Sequence, residues 1–328
     1  MMKAWVLESP GNLILKEIEI PVPGANEVLV RHDAFCICNG SDPEIYNGHE
    51  AYKTPLVFGH EASGRIVEMG KDVKGWKIGQ RVCWWFTMGA FAEYSIVNTG
   101  ADNVAMFPVP DVIGIEESPV LELAIASCRA LMPFTDCGAN KRLGILGLGP
   151  SGLIAVQYAK LLGFEHIWGW DLYPMRRELA LSLGIDAVCN PSSPSFENDV
   201  LDLCEVDIAL DMMGDEQLTN CTFTKLLRKV RGNGTVVSYG HPEHGRSFSP
   251  FVFQSRNLTM ISPERNIPII REKGRQLMDW TAEGKIKIRP LVTEVRTMED
   301  LGASFECLLK NPSAQVKMVF TTSKEDKL

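Results

Sequence analysis

Four side chains in the first half of the sequence have the chemistry of metal ligands. Cys38 offers a soft thiolate, His60 in the run Gly59-His60-Glu61-Ala62-Ser63-Gly64 offers an imidazole, and Glu61 and Glu122 offer carboxylates. Zn2+ accepts all three donor types, and a catalytic zinc takes three protein ligands while a fourth position stays open. Singly, a histidine beside a loop is more often an ordinary core or surface residue, and a lone cysteine more often a small buried hydrophobe. The reading rests on their joint spacing, with Gly64 and Gly70 punctuating the stretch after the His-Glu pair. A second Gly-His-Glu run at 48–50 is followed by Ala-Tyr-Lys-Thr-Pro instead, so His49 reads as a solvated loop residue.

The second chemical signal is a phosphate cradle. Gly147-Leu148-Gly149-Pro150-Ser151-Gly152 has the G-x-G-x-x-G spacing and lies between a short apolar run, Leu143–Leu146, and a helix-length stretch, Ser151–Leu162. In that context Gly147 permits a tight turn, Gly149 lets backbone approach a pyrophosphate, and Gly152 allows close helix–strand packing. The helix start at Pro150 and Ser151 presents free N–H groups to the anion. The bland alternative is a glycine-rich turn of an α/β protein. Against it stands Asp171, 19 residues after Gly152 at the end of the next strand. A carboxylate there accepts the ribose hydroxyls of NAD and repels the 2′-phosphate of NADP, so NAD is the expected cofactor. Arg176 reads either as a helix-surface residue or as support for a phosphate.

These groups need two kinds of scaffold. From Met1 to about Leu123, short β-branched runs broken by Gly and Pro predict strands at Leu13–Ile20, Glu27–Ala34, Ala62–Met69, Arg81–Trp85 and Phe91–Val97, a β-rich barrel or sandwich. After Pro119, strands alternate with amphipathic helices, the pattern of a helix-covered parallel sheet. Strands are predicted at Leu143–Leu146, His166–Trp170, Ile208–Asp211, Thr235–Tyr239 and Leu258–Ile261, with helices at Ser151–Leu162 and Glu216–Val230. From Ile267 the texture is mixed, with a helix to Glu283, a last strand at Val316–Phe320 and a frayed end at Lys324–Leu328. The expected fold is therefore α/β: a β-rich part up to about residue 123, followed by a doubly wound parallel sheet covered by helices.

Composition narrows the function class. A chain of 328 residues with 45% hydrophobic content suits two globular domains. A net charge of -8 supplies no clustered cations for nucleic acid or an anionic membrane, so neither is an expected partner. The N-terminus lacks a signal-peptide core and no run of about 18 apolar residues follows, which predicts a cytoplasmic location. Nine scattered cysteines point to reduced thiols and a metal ligand rather than to disulfides.

Cys38, Gly-His-Glu at 59–61, Gly64, Gly70 and the nucleotide fingerprint together resemble the zinc-containing medium-chain dehydrogenase/reductase superfamily, within it the sorbitol and threonine dehydrogenase branch. The resemblance runs nearly end to end. Gly79-Gln80-Arg81-Val82 is similar to the family's Gly-Asp-Arg-Val and Phe91-Ala92-Glu93-Tyr94 to its Phe-Ala-Glu-Tyr, while Arg231–Gly234 and Asn311–Phe320 have its usual shapes. It implies a GroES-like catalytic domain from residues 1–123 and 264–328 beside a Rossmann NAD-binding domain from residues 124–263, one catalytic zinc per chain, a small-molecule alcohol bound in the cleft between domains, and a homodimer or homotetramer. The zinc then acts as a Lewis acid on the hydroxyl while NAD accepts hydride, and Glu61 orients or transiently coordinates the metal. In the polyol branch a Glu before Pro-Leu holds the zinc or its water. Glu122 in Leu121-Glu122-Leu123-Ala124 occupies that place with Leu for Pro, and Cys128 is the rival third ligand.

Three departures from the family matter. Only Cys83 stands where relatives carry four cysteines for a structural zinc, so that second ion is not expected. The family's Cys-Gly-Ser/Thr-Asp is expanded to Cys38-Asn39-Gly40-Ser41-Asp42, and Glu44 replaces a His that many relatives carry two residues after the Asp. Ser41 and Glu44 are thus the candidates for relaying the substrate proton, with a solvated loop as the alternative for Glu44. Trp84 and Trp85 either wall the substrate pocket or pack against the shortened loop. Two rival readings stand beside the dehydrogenase: a zinc-free NADPH-dependent enone or quinone reductase of the same superfamily, and a non-catalytic nucleotide-binding relative.

Overall fold

Short runs of alternating or continuous apolar residues bounded by Gly and Pro can bury themselves only as strands, and the N-terminal third is built that way. In the computed structural model, which describes residues 1–49, 52–135, 140–193, 205–214, 222–241, 248–312 and 315–322, the chain divides into two compact units. The first comprises Met1–Ile125, Asn266–Gly284 and Ile288–Leu328; the second comprises Ala126–Arg265 and Lys285–Lys287.

The first unit opens with strands β1 (Met2–Ser9), β2 (Asn12–Ile18) and β3 (Glu27–Cys36) and the short helix α1 (Ser41–Asn47). Strands β4 (Leu56–Val57), β5 (Glu61–Met69), β6 (Arg81–Trp85), β7 (Tyr94–Asn98) and β8 (Ala105–Pro108) follow, then helix α2 (Val120–Cys128), which leads into the second unit. That unit contains β9 (Arg142–Leu146), α3 (Pro150–Leu161), β10 (His166–Trp170), α4 (Pro174–Ser182), β11 (Ala187–Cys189), β12 (Val206–Asp211), α5 (Thr222–Lys229), β13 (Val230–Ser238), α6 (Pro250–Arg256) and β14 (Thr259–Ile261). The chain returns to the first unit through α7 (Ile267–Ala282), β15 (Val292–Thr297), α8 (Leu301–Lys310) and β16 (Lys317–Thr321).

The first unit is a β-structure of two sheets, β2-β1-β4 and β15-β16-β3-β5-β6-β8, with β7 also paired to β3. Its core holds Val28, Val30, Phe35, Phe58, Ile66, Trp84, Phe91 and Phe320. Gly64 lets β5 cross close to β3, since a Cβ there would sit 2.0 Å from the Arg31 carbonyl oxygen. In the second unit six parallel strands run in the order β11-β10-β9-β12-β13-β14, the doubly wound arrangement expected of alternating strands and helices. Its core is formed by Leu146, Trp170, Val206, Phe223, Leu227 and Val236. Among the described residues no helix is long and apolar enough to cross a membrane.

Several boundaries differ from the sequence pattern for identifiable reasons. Strand β2 stops at Ile18, shortly before Pro21 and Pro23, which cannot donate to a ladder. The stretch after Cys38 is helical from Ser41 rather than a loop, so Glu44 lies on α1. The helix predicted for Glu216–Val230 ends at Lys229, where the chain enters β13; its residues up to 221, like the segment Lys324–Leu328, lie outside the described residues.

One buried group ties this packing to pH. His32 on β3 is 2% exposed, held by the Ala90 carbonyl at 3.0 Å and the Ser95 hydroxyl at 2.8 Å, with its ring 5.5 Å from that of Trp84. Burial lowers its pKa to about 4. The unfolded chain takes up this proton near pH 6.5 and the folded one does not, so stability is lost as pH falls from 6.5 towards 4. The loss amounts to about 3 kcal/mol at the acid end. His32→Gln, which keeps a donor and cannot charge, should flatten that part of the stability profile in denaturant titrations between pH 7 and 4. An unchanged pH dependence in the variant would show that His32 is not its source.

Candidate metal centre and nucleotide cradle

The register of β3 against β5 brings the metal-ligand candidates together. Cys36, the last residue of β3, pairs with Glu61, the first of β5, and His60 immediately precedes it. Two residues past the strand end, Cys38 is fixed by its own backbone: its N–H donates to Asp42 Oδ2 at 2.7 Å. Asp42 is fully buried on α1, and its other oxygen lies 3.3 Å from His60 Nδ1. A carboxylate at Nδ1 fixes the ring and leaves Nε2 to a metal. Cys38, His60 and Glu61 offer ligand atoms that all lie within 4.8 Å of one another.

The donor set fits a zinc ion. Thiolate, imidazole and carboxylate are its ordinary ligands. Glu61 is fully buried; its Oε2 accepts from the Cys36 thiol at 2.8 Å and from the Lys317 ammonium, while its Oε1 has no hydrogen-bond partner. A buried oxygen left in that state carries an uncompensated desolvation cost, which a bound cation would remove. Burial alone would lower the pKa of His60, but the Asp42 carboxylate and Cys38 outweigh it and hold the pKa well above the usual histidine value.

Not every candidate joins this group. Glu122, expected as the third ligand, lies on α2 and is 2% exposed, but the group drawn within 4.8 Å does not include it. Its carboxylate acts on Cys83 of β6, whose thiol is raised first by burial and then by that charge. Cys128, at the other end of α2, is fully buried, and burial raises its thiol well above the ordinary value. Ser41 and Glu44 occupy the first turn of α1, both half-buried. Trp84 is a core residue at 1% exposure. Phe86, which the sequence did not flag, is 42% exposed with its ring 6.0 Å from that of His60, next to Trp85 at 6.1 Å.

In the second unit the glycines behave as their spacing implies. Gly147 follows β9 with φ +92, and a Cβ there would lie 2.9 Å from the Met212 carbonyl. Gly152 packs α3 so closely that a Cβ would fall 2.1 Å from the Gly147 oxygen. Gly149 has an extended backbone just before Pro150 and Ser151, and a Cβ would meet only Arg176 Nη1, at 3.7 Å, which leaves room for a phosphate. Asp171, 6% exposed, accepts from Leu148 N and Tyr173 N, each at 2.8 Å, and so ties the cradle to the end of β10. Arg176 lies over the Tyr173 ring at 4.6 Å with Nη1 3.9 Å from Asp171 Oδ2.

Three site residues escaped the sequence reading. Asp42 was findable, because a metal-binding imidazole needs an acceptor at its second nitrogen. Lys317 was findable as a charge inside the apolar run Val316–Phe320. Cys36 carried no signal beyond being small and apolar.

With this geometry in place, comparison with known proteins is direct. Residues 150–283 match the family model described as zinc-binding dehydrogenase, and residues 24–115 the model described as alcohol dehydrogenase GroES-like domain. The chain is 31% identical over 253 residues to an L-threonine 3-dehydrogenase of Xanthomonas oryzae pv. oryzae (strain MAFF 311018), covering 67% of this chain and 72% of that protein. It is 26% identical over 372 residues to an alcohol dehydrogenase of Cupriavidus necator, covering 97% and 98%. A solved structure from Sinorhizobium meliloti 1021, bound to NADP, shares the fold with a TM-score of 0.83 at 24% identity, covering 98% of this chain and 99% of that one. The chain belongs to the zinc-dependent medium-chain dehydrogenase superfamily, with a GroES-like and a Rossmann-like part. Its class of activity is that of an alcohol oxidoreductase.

The Asp42–His60 contact generates a test. Metal binding requires a deprotonated ring nitrogen, so zinc affinity should rise with pH and binding should release protons, measurable by titration calorimetry in buffers of different ionisation enthalpy. Asp42→Asn should weaken zinc binding roughly 10–100-fold, the usual cost of removing a partner of a metal-binding histidine. Equal affinity in the variant would show that Asp42 does not orient His60.

Proposed function

We propose that this protein is a zinc-dependent, NAD-linked dehydrogenase of small secondary alcohols, polyols or amino alcohols, with one zinc per chain. The observation that carries the reading is the convergence of Cys38, His60 and Glu61, with one buried Glu61 oxygen lacking a protein partner. These three residues would hold the ion, and Asp42 keeps the His60 ring turned so that one nitrogen is available. When bound, zinc supplies Lewis-acid polarisation of the substrate hydroxyl. Ser41 or Glu44 on α1 accepts the hydroxyl proton, and Phe86 offers an apolar surface beside His60. The Gly147–Gly152 turn and the start of α3 bind the pyrophosphate, and Asp171 binds the adenosine ribose. Although the S. meliloti neighbour was solved with NADP, the Asp171 carboxylate at the ribose position supports NAD here. The L-threonine 3-dehydrogenase relatives support a hydroxyl-bearing substrate, and the buried ligand set disfavours a zinc-free reductase.

Metal analysis of the purified protein should find one zinc per chain, with turnover of secondary alcohols faster with NAD than with NADP. Two zincs, or none, would overturn the reading. Cys38→Ala and His60→Ala should each remove the metal and nearly all turnover while NAD binding, read by fluorescence, persists, since the cradle belongs to the other unit.

The proton path is tested separately. Ser41→Ala or Glu44→Gln should slow alcohol oxidation by roughly 10²–10⁴-fold for the group that carries the proton. Zinc content should stay at the wild-type level, and the defect should shrink as pH rises and the hydroxyl ionises unaided. Full activity of both variants across the pH range would place the relay elsewhere.

A further inference from the structure

Behind the ligand group lie two fully buried residues, Cys36 and Lys317, that the reaction above does not use and that both bond to Glu61. Cys36, Glu61 and Lys317 are each 0% exposed and come from three adjacent strands, β3, β5 and β16. The registers place them: Cys36 pairs with Glu61 on one side and with Val319 on the other, two residues along β16 from Lys317. The Lys317 ammonium donates to the Ile37 carbonyl at 2.8 Å and to Glu61 Oε2, the same oxygen that accepts from the Cys36 thiol.

We propose that Lys317 and Cys36 are positioning residues for Glu61, which fasten Oε2 to the protein and so present Oε1 to the metal in one fixed orientation. The proposal rests on the metal-centre reading above. Three observations support it. Both donors converge on a single oxygen, although sharing them between two would satisfy the carboxylate better. A buried ion pair is also a poor device for stability, since apolar residues of similar volume serve as well or better. Finally, Lys317 also grips the Ile37 carbonyl, one residue before Cys38, so a single ammonium fixes the carboxylate of one ligand and the backbone leading to another.

The test uses the full chain loaded with zinc or, for spectroscopy, with Co2+. Lys317→Met should weaken zinc retention against a chromophoric chelator at least about tenfold, in the range found for outer partners of metal ligands, and should shift the Co2+ ligand-field bands. Lys317→Arg should recover most of the affinity. Cys36→Ser, which keeps a donor, should retain more than Cys36→Ala. Because Lys317→Met removes the counter-ion of a buried carboxylate and costs stability, the decisive comparison pairs it with Glu61→Gln. If Lys317 acts mainly through Glu61, Lys317→Met should cost much less zinc affinity in the Glu61→Gln background than in the wild type; fully additive losses would show a merely structural lysine and overturn the proposal. A wild-type protein that holds zinc while Lys317→Met holds it equally well would sink this inference alone. A wild-type protein that takes up no zinc would sink the metal-centre reading with it.

Discussion

A carboxylate buried at the junction of three strands is the costliest feature of the first unit, and much of that unit's topology can be understood as its accommodation. Glu61 has no solvent contact, so its charge must be met by a cation inside the protein. The nearest one in space, Lys317, is 256 residues away in sequence. The pairing is available only because the chain, after completing the nucleotide unit, returns and inserts β16 beside β3. The first unit is thus discontinuous for a reason visible at its centre: its metal-ligand candidates lie near one end of the sequence and their counter-ion near the other. Burial would depress the Lys317 ammonium, and the adjacent Glu61 carboxylate more than reverses this, so the lysine stays charged at any working pH.

The same junction makes strand register a chemical matter. A slip of one residue between β3 and β5 would turn Glu61 and Ser63 to the opposite face and exchange the ligand for its apolar neighbour. The register holds through irregularities at Leu29/Val30 and His32/Ala34, and Gly64, opposite His32, gives β5 the close approach these require. The second unit solves the reverse problem. There the start of α3 carries backbone N–H groups without helical partners, and Gly149 keeps side-chain bulk away from them. Asp171 joins the turn to the strand before it: it accepts from the backbone N–H groups of Leu148 and Tyr173 and so ties the glycine turn to the end of β10.

What was legible in the sequence follows from this division. The parallel sheet and its fingerprint could be read because strand, glycines and helix are contiguous, and β10 runs over the same residues that its pattern marks out. Cys38, His60 and Glu61 stood out by residue type. Glu122 was assigned through the family's Glu-Pro-Leu, which this chain carries with Leu for Pro; in the structure it is buried on α2, and its charge acts on the Cys83 thiol. Lys317 and Cys36 depend on pairing between distant strands, which no local pattern encodes. Helix α1 was missed because it is a single short element of seven residues with a proline inside its first turn, where proline is tolerated but leaves no periodicity to detect.

The expanded stretch after Cys38 is best understood through that helix. With one residue more than the family spacing, Asp42 stands four positions after Cys38, and at that separation its two oxygens divide between Cys38 N–H and the His60 ring. One buried carboxylate therefore contacts two of the ligand candidates at once, as Lys317 contacts Glu61 and the approach to Cys38. The insertion also makes Ser41 the first helical residue, so its hydroxyl is carried on a packed element anchored by buried Asp42 and Ile45. A departure that looks like loose loop length in the sequence becomes, once folded, a clamp on the thiol and the imidazole, and the three ligand candidates are held by two buried charged groups of opposite sign.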